Sequence, residues 1–479
     1  MAASLQPRWF ETISERPLYC SIPVQDAKGN TRIIAGGADH GLTELDAHKG
    51  TRTASLYSKT HGHSEWVTCV ARVSPTQVAS AGMDAKVCVW DLASVAPHTE
   101  RQRGVQHVPV RACVDLVGHT GSVAALCGVD GAGLLASGGY DGSVRLWRVD
   151  AATCVAVLEQ RGEEESGVQE AGRARVRTRP TPSNAVVGLN EFAGRLMCRT
   201  KSGLVNVFDL GTGEAMTCVQ AHRGPVSALV PVSGEVFASA GVVDGAVRVF
   251  DLRVAEGRGR CVARMEGVHG GGGVTAMVRV GSYLGDGTDG GPVCLATCGG
   301  GGDAAVKILE MRGGGVGPQR IVKEVSQLVR QDARVMTCLP GQTSAKSPET
   351  ISYALTSVPE LDGVLVSWGD GCVQVMRNLT RHGVGATVPD RGPMNYCDNR
   401  NVYTPINGRR KSTSSQVLEI SALSFSSNST NDVVNLDTKI AGIRNAIRSF
   451  SVFSKPTVGA LGVVGSGDDG IAIGWELRF

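Results

Sequence analysis

The chain of 479 residues carries 48 basic and 45 acidic side chains, a formal net charge of +3, and 42% of its residues are hydrophobic. This balance lacks the basic excess of a dedicated nucleic-acid-binding protein, and no run approaches the ~20 apolar residues that a membrane-spanning helix needs. The first residues, MAASLQPRWFETISERP, contain no apolar core of a signal peptide, so we expect a cytoplasmic or nuclear protein.

Eight segments share one pattern, in which a turn residue is followed six residues later by a bulky apolar residue on an alternating stretch. In chain order the pairs are Asp39 and Leu45, Asp84 and Trp90, Asp141 and Trp147, Ser202 and Phe208, Asp244 and Phe250, Asp303 and Leu309, Asp370 and Met376, and Asp469 and Trp475. A turn followed by a strand with every second residue apolar is typical of a β-hairpin. Its recurrence predicts one repeat architecture over residues 1–479 rather than about three separate domains.

Two copies are fuller than the others. The segments GHSEWVTCVARVSPTQVASAGMDAKVCVWDL (62–92) and GHTGSVAALCGVDGAGLLASGGYDGSVRLWRV (118–149) both begin with Gly-His and continue through an Ala-Ser-x-Gly strand to a turn Asp and a Trp. With these residues the chain resembles the WD-repeat β-propellers, from about residue 17 to residue 477. The resemblance implies an all-β fold of four-stranded blades.

The resemblance also implies a hydrogen-bonded set of four side chains in each full copy. Here the sets are His63, Ser80, Asp84 and Trp90, then His119, Ser137, Asp141 and Trp147. An unpaired buried polar group costs ~1–3 kcal/mol, so a His and an Asp between packed sheets must satisfy each other. Because a catalytic site is usually single whereas this set recurs, we interpret it as structural.

Other copies depart from this pattern. The fifth keeps His222, Ser239 and Asp244 but has Phe250, and the sixth has His269 and Thr297 with Leu309. The first, fourth, seventh and eighth lack the Gly-His pair, so we expect apolar packing to hold them.

Eight copies predict eight blades, with seven, the commonest number in the family, as the alternative. In the last copy we place the first strand at 417–425, the second near 458–464 and the third at 471–477, after which no residues remain for a fourth. An unpaired edge strand is a liability. The segment 9–13 lies outside the first repeat, and we predict that it closes the ring against the last blade.

Four stretches exceed a minimal propeller: loops at 93–110, 159–183 and 377–416, and an insertion at 426–456. In the last, the apolar residues have 4-3-4-3 spacing and predict a helix; they are Leu436, Ile440, Ile443, Ile447 and Phe450. The basic run Arg409-Arg410-Lys411 precedes Ser412, which we take as a candidate phosphorylation site.

The predicted function is a non-enzymatic scaffold for protein–protein interaction within a larger complex. Trp66 and Tyr140 are the candidate partner-binding residues, because exposed aromatic side chains make interface anchors. No small-molecule substrate and no cofactor is expected. No cluster has metal-ligand spacing, and the 14 scattered cysteines indicate buried, reduced thiols.

Two alternative functions remain open. Phe250-Asp-Leu-Arg253 and Trp475-Glu-Leu-Arg478 each differ at one position from the WDxR sequence of propellers that recruit substrates to cullin-RING ubiquitin ligases, so Arg253 and Arg478 are candidates for that contact. The arginines of segment 159–183 are candidates for RNA contact in an RNA-associated assembly factor.

Overall fold

The computed structural model describes most of the chain. The described residues are 7–26, 29–57, 61–93, 111–129, 133–158, 160, 184–233, 235–254, 261–269, 272–280, 293–300, 305–312, 320–329, 351–369, 371–376, 433–436, 446–455 and 459–478. The loop at 377–416 with Ser412, nearly all of the loops at 93–110 and 159–183, and the turn residues Asp303 and Asp370 lie outside them.

The first strand, β1, covers Pro7–Thr12. The next sixteen strands, β2 to β17, form four sheets of four strands, here called blades 1 to 4. Blade 1 contains β2 (Leu18–Gln25), β3 (Thr31–Gly37), β4 (Leu42–Asp46) and β5 (Arg52–Ser55). Blade 2 contains β6 (Val67–Ser74), β7 (Gln77–Gly82), β8 (Lys86–Asp91) and β9 (Cys113–Val117). Blade 3 contains β10 (Val123–Val129), β11 (Leu134–Gly139), β12 (Val144–Arg148) and β13 (Thr153–Leu158). Blade 4 contains β14 (Val186–Phe192), β15 (Arg195–Thr200), β16 (Leu204–Asp209) and β17 (Ala215–Gln220).

Blades 5 to 7 repeat this order. Blade 5 contains β18 (Val226–Ser233), β19 (Val236–Gly241), β20 (Val247–Asp251) and β21 (Cys261–Met265). Blade 6 contains β22 (Val274–Val280), β23 (Val293–Gly299), β24 (Ala305–Arg312) and β25 (Arg320–Val329). Blade 7 contains β26 (Ser352–Val358), β27 (Gly363–Trp368), β28 (Val373–Met376) and β29 (Val433–Leu436), with a single 3₁₀ turn at Pro359–Leu361.

Blade 8 combines both ends of the described chain. It contains β30 (Ile447–Ser454), β31 (Ala460–Gly467) and β32 (Ile471–Arg478), and its outermost strand is β1. The pairing of β1 with β32 is antiparallel, with Phe10 opposite Ile473 and Thr12 opposite Ile471. The Trp9 indole N–H also donates to the carbonyl of Ala47 in blade 1, at 3.1 Å.

The first strands of the blades lie next to one another around a central axis, in the order β2, β6, β10, β14, β18, β22, β26, β30 and back to β2. Ser21 of β2 lies 2.7 Å from Ser449 and 3.0 Å from Ser451 of β30, between their hydroxyl oxygens. The molecule is therefore an all-β propeller of eight blades, and the prediction of eight rather than seven is confirmed.

The apolar ends of the sequence pattern are core residues. Each lies on the third strand of its blade and is at most 4% exposed; they are Leu45, Trp90, Trp147, Phe208, Phe250, Leu309, Met376 and Trp475. The cores lie between successive blades: Trp90, for example, packs in one cluster with Ile34 and Leu42 of blade 1. The six-residue spacing therefore located the third strand of every blade.

The predicted helix over 426–456 is wrong where the structure describes it. Residues 433–436 form β29 and residues 447–454 form β30, and no α-helix occurs among the described residues. The first strand of blade 8 is consequently β30 and not 417–425. Backbone pairing with β31, from Ile447 opposite Gly467 to Ser454 opposite Leu461, overrides the local apolar spacing. Residues 437–445 lie outside the described residues.

The structure contains no helix, among the residues it describes, that is long and apolar enough to span a membrane.

Candidate functional site

The predicted four-residue set of blade 2 is assembled by the turn between β7 and β8. His63 Nδ1 lies 3.0 Å from Asp84 Oδ1, and His63 Nε2 lies 2.8 Å from Ser80 Oγ. The Trp90 indole N–H donates to the same Ser80 oxygen at 2.8 Å. Asp84 also accepts the backbone N–H of Ser64 at 2.9 Å. The set ties the loop before β6 to the turn before β8.

Blade 3 repeats the arrangement. His119 Nδ1 lies 2.9 Å from Asp141 Oδ2, His119 Nε2 lies 2.7 Å from Ser137 Oγ, and the Trp147 indole N–H donates to Ser137 Oγ at 2.7 Å. The two imidazole side chains are fully buried. All eight residues of the two full sets therefore take part in these hydrogen bonds.

The proton positions in these sets follow from the pKa of the aspartates. Burial alone would raise the pKa of Asp84, but the hydrogen bond from His63 and the backbone N–H groups of Ser64 and Lys86 outweigh it and lower the pKa. The same balance holds the pKa of Asp141 well below its usual range. Because an ionised carboxylate only accepts, His Nδ1 donates to it; a neutral imidazole then accepts the Ser hydroxyl at Nε2.

Blades 5 and 6 keep part of this set. His222 Nδ1 lies 3.0 Å from Asp244 and His222 Nε2 lies 2.8 Å from Ser239, and Phe250 takes the place of the Trp. His269 Nε2 lies 3.0 Å from Thr297 Oγ1. Repetition in four blades supports a structural role, so a functional site must break the repeat.

Such a break occurs at the second residue of the innermost strands. In blades 1 to 8 this residue is Tyr19, Thr68, Ala124, Val187, Ser227, Thr275, Tyr353 and Arg448. Thr68, Ser227 and Thr275 donate their hydroxyls to backbone carbonyls of the adjacent strand. The large side chains therefore occupy three successive blades, 7, 8 and 1.

Tyr353 and Arg448 contact each other, and all three large side chains lie on the face of the ring that carries the Gly-His loops, here called the upper face. The Arg448 guanidinium lies 4.4 Å from the centre of the Tyr353 ring and donates to both oxygens of Asp468, at 2.7 and 2.8 Å. The hydrogen bond to Asp468 raises the pKa of Arg448, and Tyr353 and Tyr19 act in the same direction. Arg448 is therefore a fixed, charged group beside two tyrosines.

The surface continues into blades 2 and 3. The rings of Tyr19 and Trp66 are 5.9 Å apart, between centroids, and tilted by 42°. The Met83 N–H donates to the Trp66 carbonyl, and the Ser122 hydroxyl donates to the Met83 carbonyl at 3.2 Å.

The Tyr140 N–H in turn donates to the Ser122 carbonyl, at 2.8 Å. Lys201 Nζ lies 5.9 Å from the centre of the Tyr140 ring. We call the six residues Tyr353, Arg448, Tyr19, Trp66, Met83 and Tyr140 the upper-face arc.

Exposure within the arc is high for such large side chains. Trp66 is 38% exposed, Tyr353 37%, and Met83 and Tyr140 46% each. The sequence singled out Trp66 and Tyr140 but missed Tyr19, Tyr353 and Arg448. Alignment of the eight innermost strands would have revealed them, because only there does the size of the second residue stand out.

Arg253 follows the C-terminal end of the third strand of blade 5, and Arg478 is the last residue of the third strand of blade 8. Both therefore lie at the strand ends away from the upper face. Arg253 donates to Asp251 at 2.9 and 2.7 Å, and Arg478 donates to Glu476 at 2.5 Å. Their side chains are 54% and 62% exposed. The arginines of segment 159–183 lie outside the described residues.

A second group that the sequence missed lies in the outer half of blade 2. Cys88, Cys113 and Asp115 bring two sulfur atoms and a carboxylate oxygen within 4.8 Å of one another. Cys113 follows Cys88 by 25 positions in the sequence, so no short sequence motif predicts the group.

The fold and the hydrogen-bonded sets together define an eight-bladed propeller of the WD type. The family model of the WD domain, G-beta repeat, matches residues 54–91 and 111–148. The chain is a WD-repeat β-propeller protein.

Curated relatives match over limited segments. The chain is 27% identical over 178 residues to a CCR4-associated factor 4 homolog of Candida glabrata, covering 36% of this chain and 29% of the relative. It is 38% identical over 90 residues to the small ribosomal subunit protein RACK1 of Neurospora crassa, covering 18% and 23%. It is 32% identical over 133 residues to the ribosome biogenesis protein ytm1 of the same organism, covering 28% and 26%. The match thus spans about a quarter of each relative's length.

Among solved structures, the chain resembles the computationally designed protein Ika8. The TM-score is 0.55 at 16% identity, with 98% of this chain and 99% of the designed chain covered. This similarity supports the fold alone.

Proposed function

We propose that this protein is a non-enzymatic scaffold that holds other proteins within a multiprotein complex, with the upper-face arc as its main contact surface. The observation that carries the proposal is the break in the repeat at Tyr353, Arg448 and Tyr19. Five blades place small or medium-sized residues at that position, so the large side chains are not needed to build a blade.

The composition of the arc supports a partner segment rich in apolar side chains. Exposed aromatic side chains on a rigid support are frequent anchors of protein–protein interfaces. Because Asp468 already neutralises Arg448, the arc offers aromatic area with little net charge. Rigidity is part of the proposal: pairing of β1 with β32 keeps the ring closed, so the anchors need no ordering when a partner binds.

The relatives support membership of a larger assembly. Their names describe a ribosomal subunit protein, a ribosome biogenesis protein and a CCR4-associated factor. We place this chain in a comparable complex in the cytoplasm or nucleus. The buried cysteines Cys20 and Cys198, which are free thiols, agree with a reducing compartment.

The test is affinity purification of the tagged chain from its own cells, comparing the wild type with Trp66→Ala and Tyr353→Ala. The matched control is Met216→Ala, since Met216 is also 38% exposed but lies on the outer strand of blade 4. Both arc variants should lose the same main partner while the control retains it. Retention of every partner by both arc variants would contradict the proposal.

A second candidate function is substrate recruitment to a cullin-RING ubiquitin ligase. Its support is that Arg253 and Arg478 are both exposed and both oriented by a neighbouring acid. Arg253→Ala and Arg478→Ala should then each reduce co-purification of the ligase adaptor without affecting partners of the upper-face arc. Undiminished adaptor binding by the double variant would remove this candidate.

A further inference from the structure

Cys88, Cys113 and Asp115 lie on one face of the two outer strands of blade 2. In the pairing of β8 with β9, Cys88 is opposite Asp115 and Trp90 is opposite Cys113. Asp115 Oδ1 is 3.4 Å from Cys88 Sγ and 3.5 Å from Cys113 Sγ. One oxygen therefore lies between two sulfur atoms.

These separations match a tetrahedral metal site. With Zn–S of ~2.3 Å and Zn–O of ~2.0 Å, the sulfur–oxygen edge of a tetrahedron is about 3.5 Å. The three atoms could therefore bind one ion with little movement of either strand. Cys88 is buried, Cys113 is half-buried and the Asp115 side chain is 39% exposed, so the fourth position opens toward water.

The charge around the group also fits a loaded site. Two thiolates, one carboxylate and a divalent cation sum to −1. Lys86 Nζ lies 3.3 Å from Asp115 Oδ2, the oxygen that does not face the sulfur atoms. Lys86 therefore orients the carboxylate and brings the loaded site to neutrality.

Blades 3 and 5 provide an internal comparison. Cys154 lies opposite Trp147 and Cys261 lies opposite Phe250, as Cys113 lies opposite Trp90. At the position of Cys88, however, these blades carry Arg145 and Arg248, and Arg145 Nη1 is 3.9 Å from Cys154 Sγ. A guanidinium at that place repels a cation, so of these three blades only blade 2 has the ligands.

We propose that Cys88, Cys113 and Asp115 bind a thiophilic divalent cation, Zn²⁺, with water as the fourth ligand. Each thiol releases its proton to solvent when its sulfur binds the ion. The ion then links β8 to β9, the strands on either side of the loop at 93–110, and the site is independent of the upper-face arc.

The test uses the reduced full chain, freed of metal by a chelator. Co²⁺ serves as the spectroscopic probe, and Zn²⁺ affinity is then measured by competition with a chromophoric chelator. We expect about one ion per chain and thiolate-to-cobalt absorption, and Cys113→Ser and Asp115→Asn should each weaken binding roughly tenfold or more. Cys154→Ser, which removes the exposed cysteine of blade 3, should bind as the wild type does.

A thermal readout separates loss of the site from loss of the fold. Zn²⁺ should raise the Tm of the wild type and of Cys154→Ser by more than that of Cys113→Ser, and the three proteins should have the same Tm without metal. The proposal is overturned if Co²⁺ gives no thiolate absorption, or if Cys154→Ser weakens binding as much as Cys113→Ser.

Discussion

Phe250 stacks on Phe237 in blade 5, with ring centroids 5.2 Å apart and planes inclined by 18°. These residues are cross-strand partners, as Val78 and Trp90 are in blade 2. Phe237 and Phe250 both lie in a hydrophobic core, as Val78 and Trp90 do in blade 2. Ser239 nevertheless lacks the indole N–H that Ser80 accepts, so the two blades differ by one buried hydrogen bond in otherwise similar cores.

Trp147→Phe in blade 3 should therefore lower the free energy of unfolding by about 1–2 kcal/mol. The variant removes the N–H that donates to Ser137 and leaves a small void, because Leu135 rather than Phe lies opposite. Urea denaturation measures the effect. Trp147→Phe with Leu135→Phe is the matched control, since it imitates blade 5 and should recover part of the loss. A stability equal to wild type in the single variant would contradict this account.

The pairing of β1 with β32 gives a second prediction. Trp9 packs closely against Gly50 and Gly474, and its indole N–H donates to the Ala47 carbonyl. Deletion of residues 1–15 exposes the edge of β32 and removes these contacts, so the Tm should fall sharply. Deletion of residues 1–6, which precede β1, is the control and should have little effect. An unchanged melt of the longer deletion would show that the ring does not depend on β1.

The parts of the fold that the sequence predicted depend on local chemistry. The turn Asp, the alternating strand and its apolar end lie within ten residues of one another, and the pattern found all eight third strands. The His–Ser–Asp–Trp sets were implied by the resemblance to WD-repeat propellers, and each lies within one blade, where a buried His and Asp have few alternative partners.

The features that the sequence analysis predicted wrongly or missed depend on contacts between distant segments. Ile447 and Phe450 have helical spacing, but an innermost strand packs against two neighbouring blades, and this blurs the alternation typical of a strand. Ile447 and Ser451 are buried in β30 while Phe450 is half-buried. Cys88, Cys113 and Asp115 likewise meet only because β9 pairs with β8. Pairing of strands is decided by the whole sheet and cannot be read from spacing.

Blade 4 contains a half-buried Arg199, which gives a third prediction. Ala81, Gly138 and Ala240 occupy the corresponding position in blades 2, 3 and 5. Burial lowers the pKa of Arg199 to about 10, and its guanidinium donates to the Val226 carbonyl at 2.9 Å.

Space for this side chain comes from Gly188, where an added Cβ would lie 2.0 Å from Arg199 Nε. Gly188→Ala should lower the free energy of unfolding by about 1–3 kcal/mol. The cost should shrink in an Arg199→Ala background, because the two residues share one volume. Chemical denaturation of the four proteins of this double-mutant cycle measures the coupling, and additive effects would contradict it.

The free energy of unfolding should fall as the solution becomes more acidic, and the buried His–Asp sets determine the pH range of the decline. Burial lowers the pKa of His222 against the opposing effect of Asp244. As the pH falls, His222 in the unfolded chain, with a pKa of ~6.5, therefore takes up its proton before His222 in the folded chain does. The free energy of unfolding declines below about pH 6.5 as a result. The pKa of Asp141 is also lowered in the folded state. Its contribution is complete above the unfolded value of ~3.9 and is lost as the pH falls through the folded value.

Urea denaturation between neutral pH and about pH 3 tests this order of events. The free energy of unfolding should decline in two steps, first with His222 and then with the aspartates. Asp141→Asn should be less stable than wild type at neutral pH, since it removes the carboxylate that accepts from His119. Its acid decline should be shallower, because one linked proton is gone. A stability that rises between about pH 6.5 and pH 5 would contradict the sign of the His222 effect.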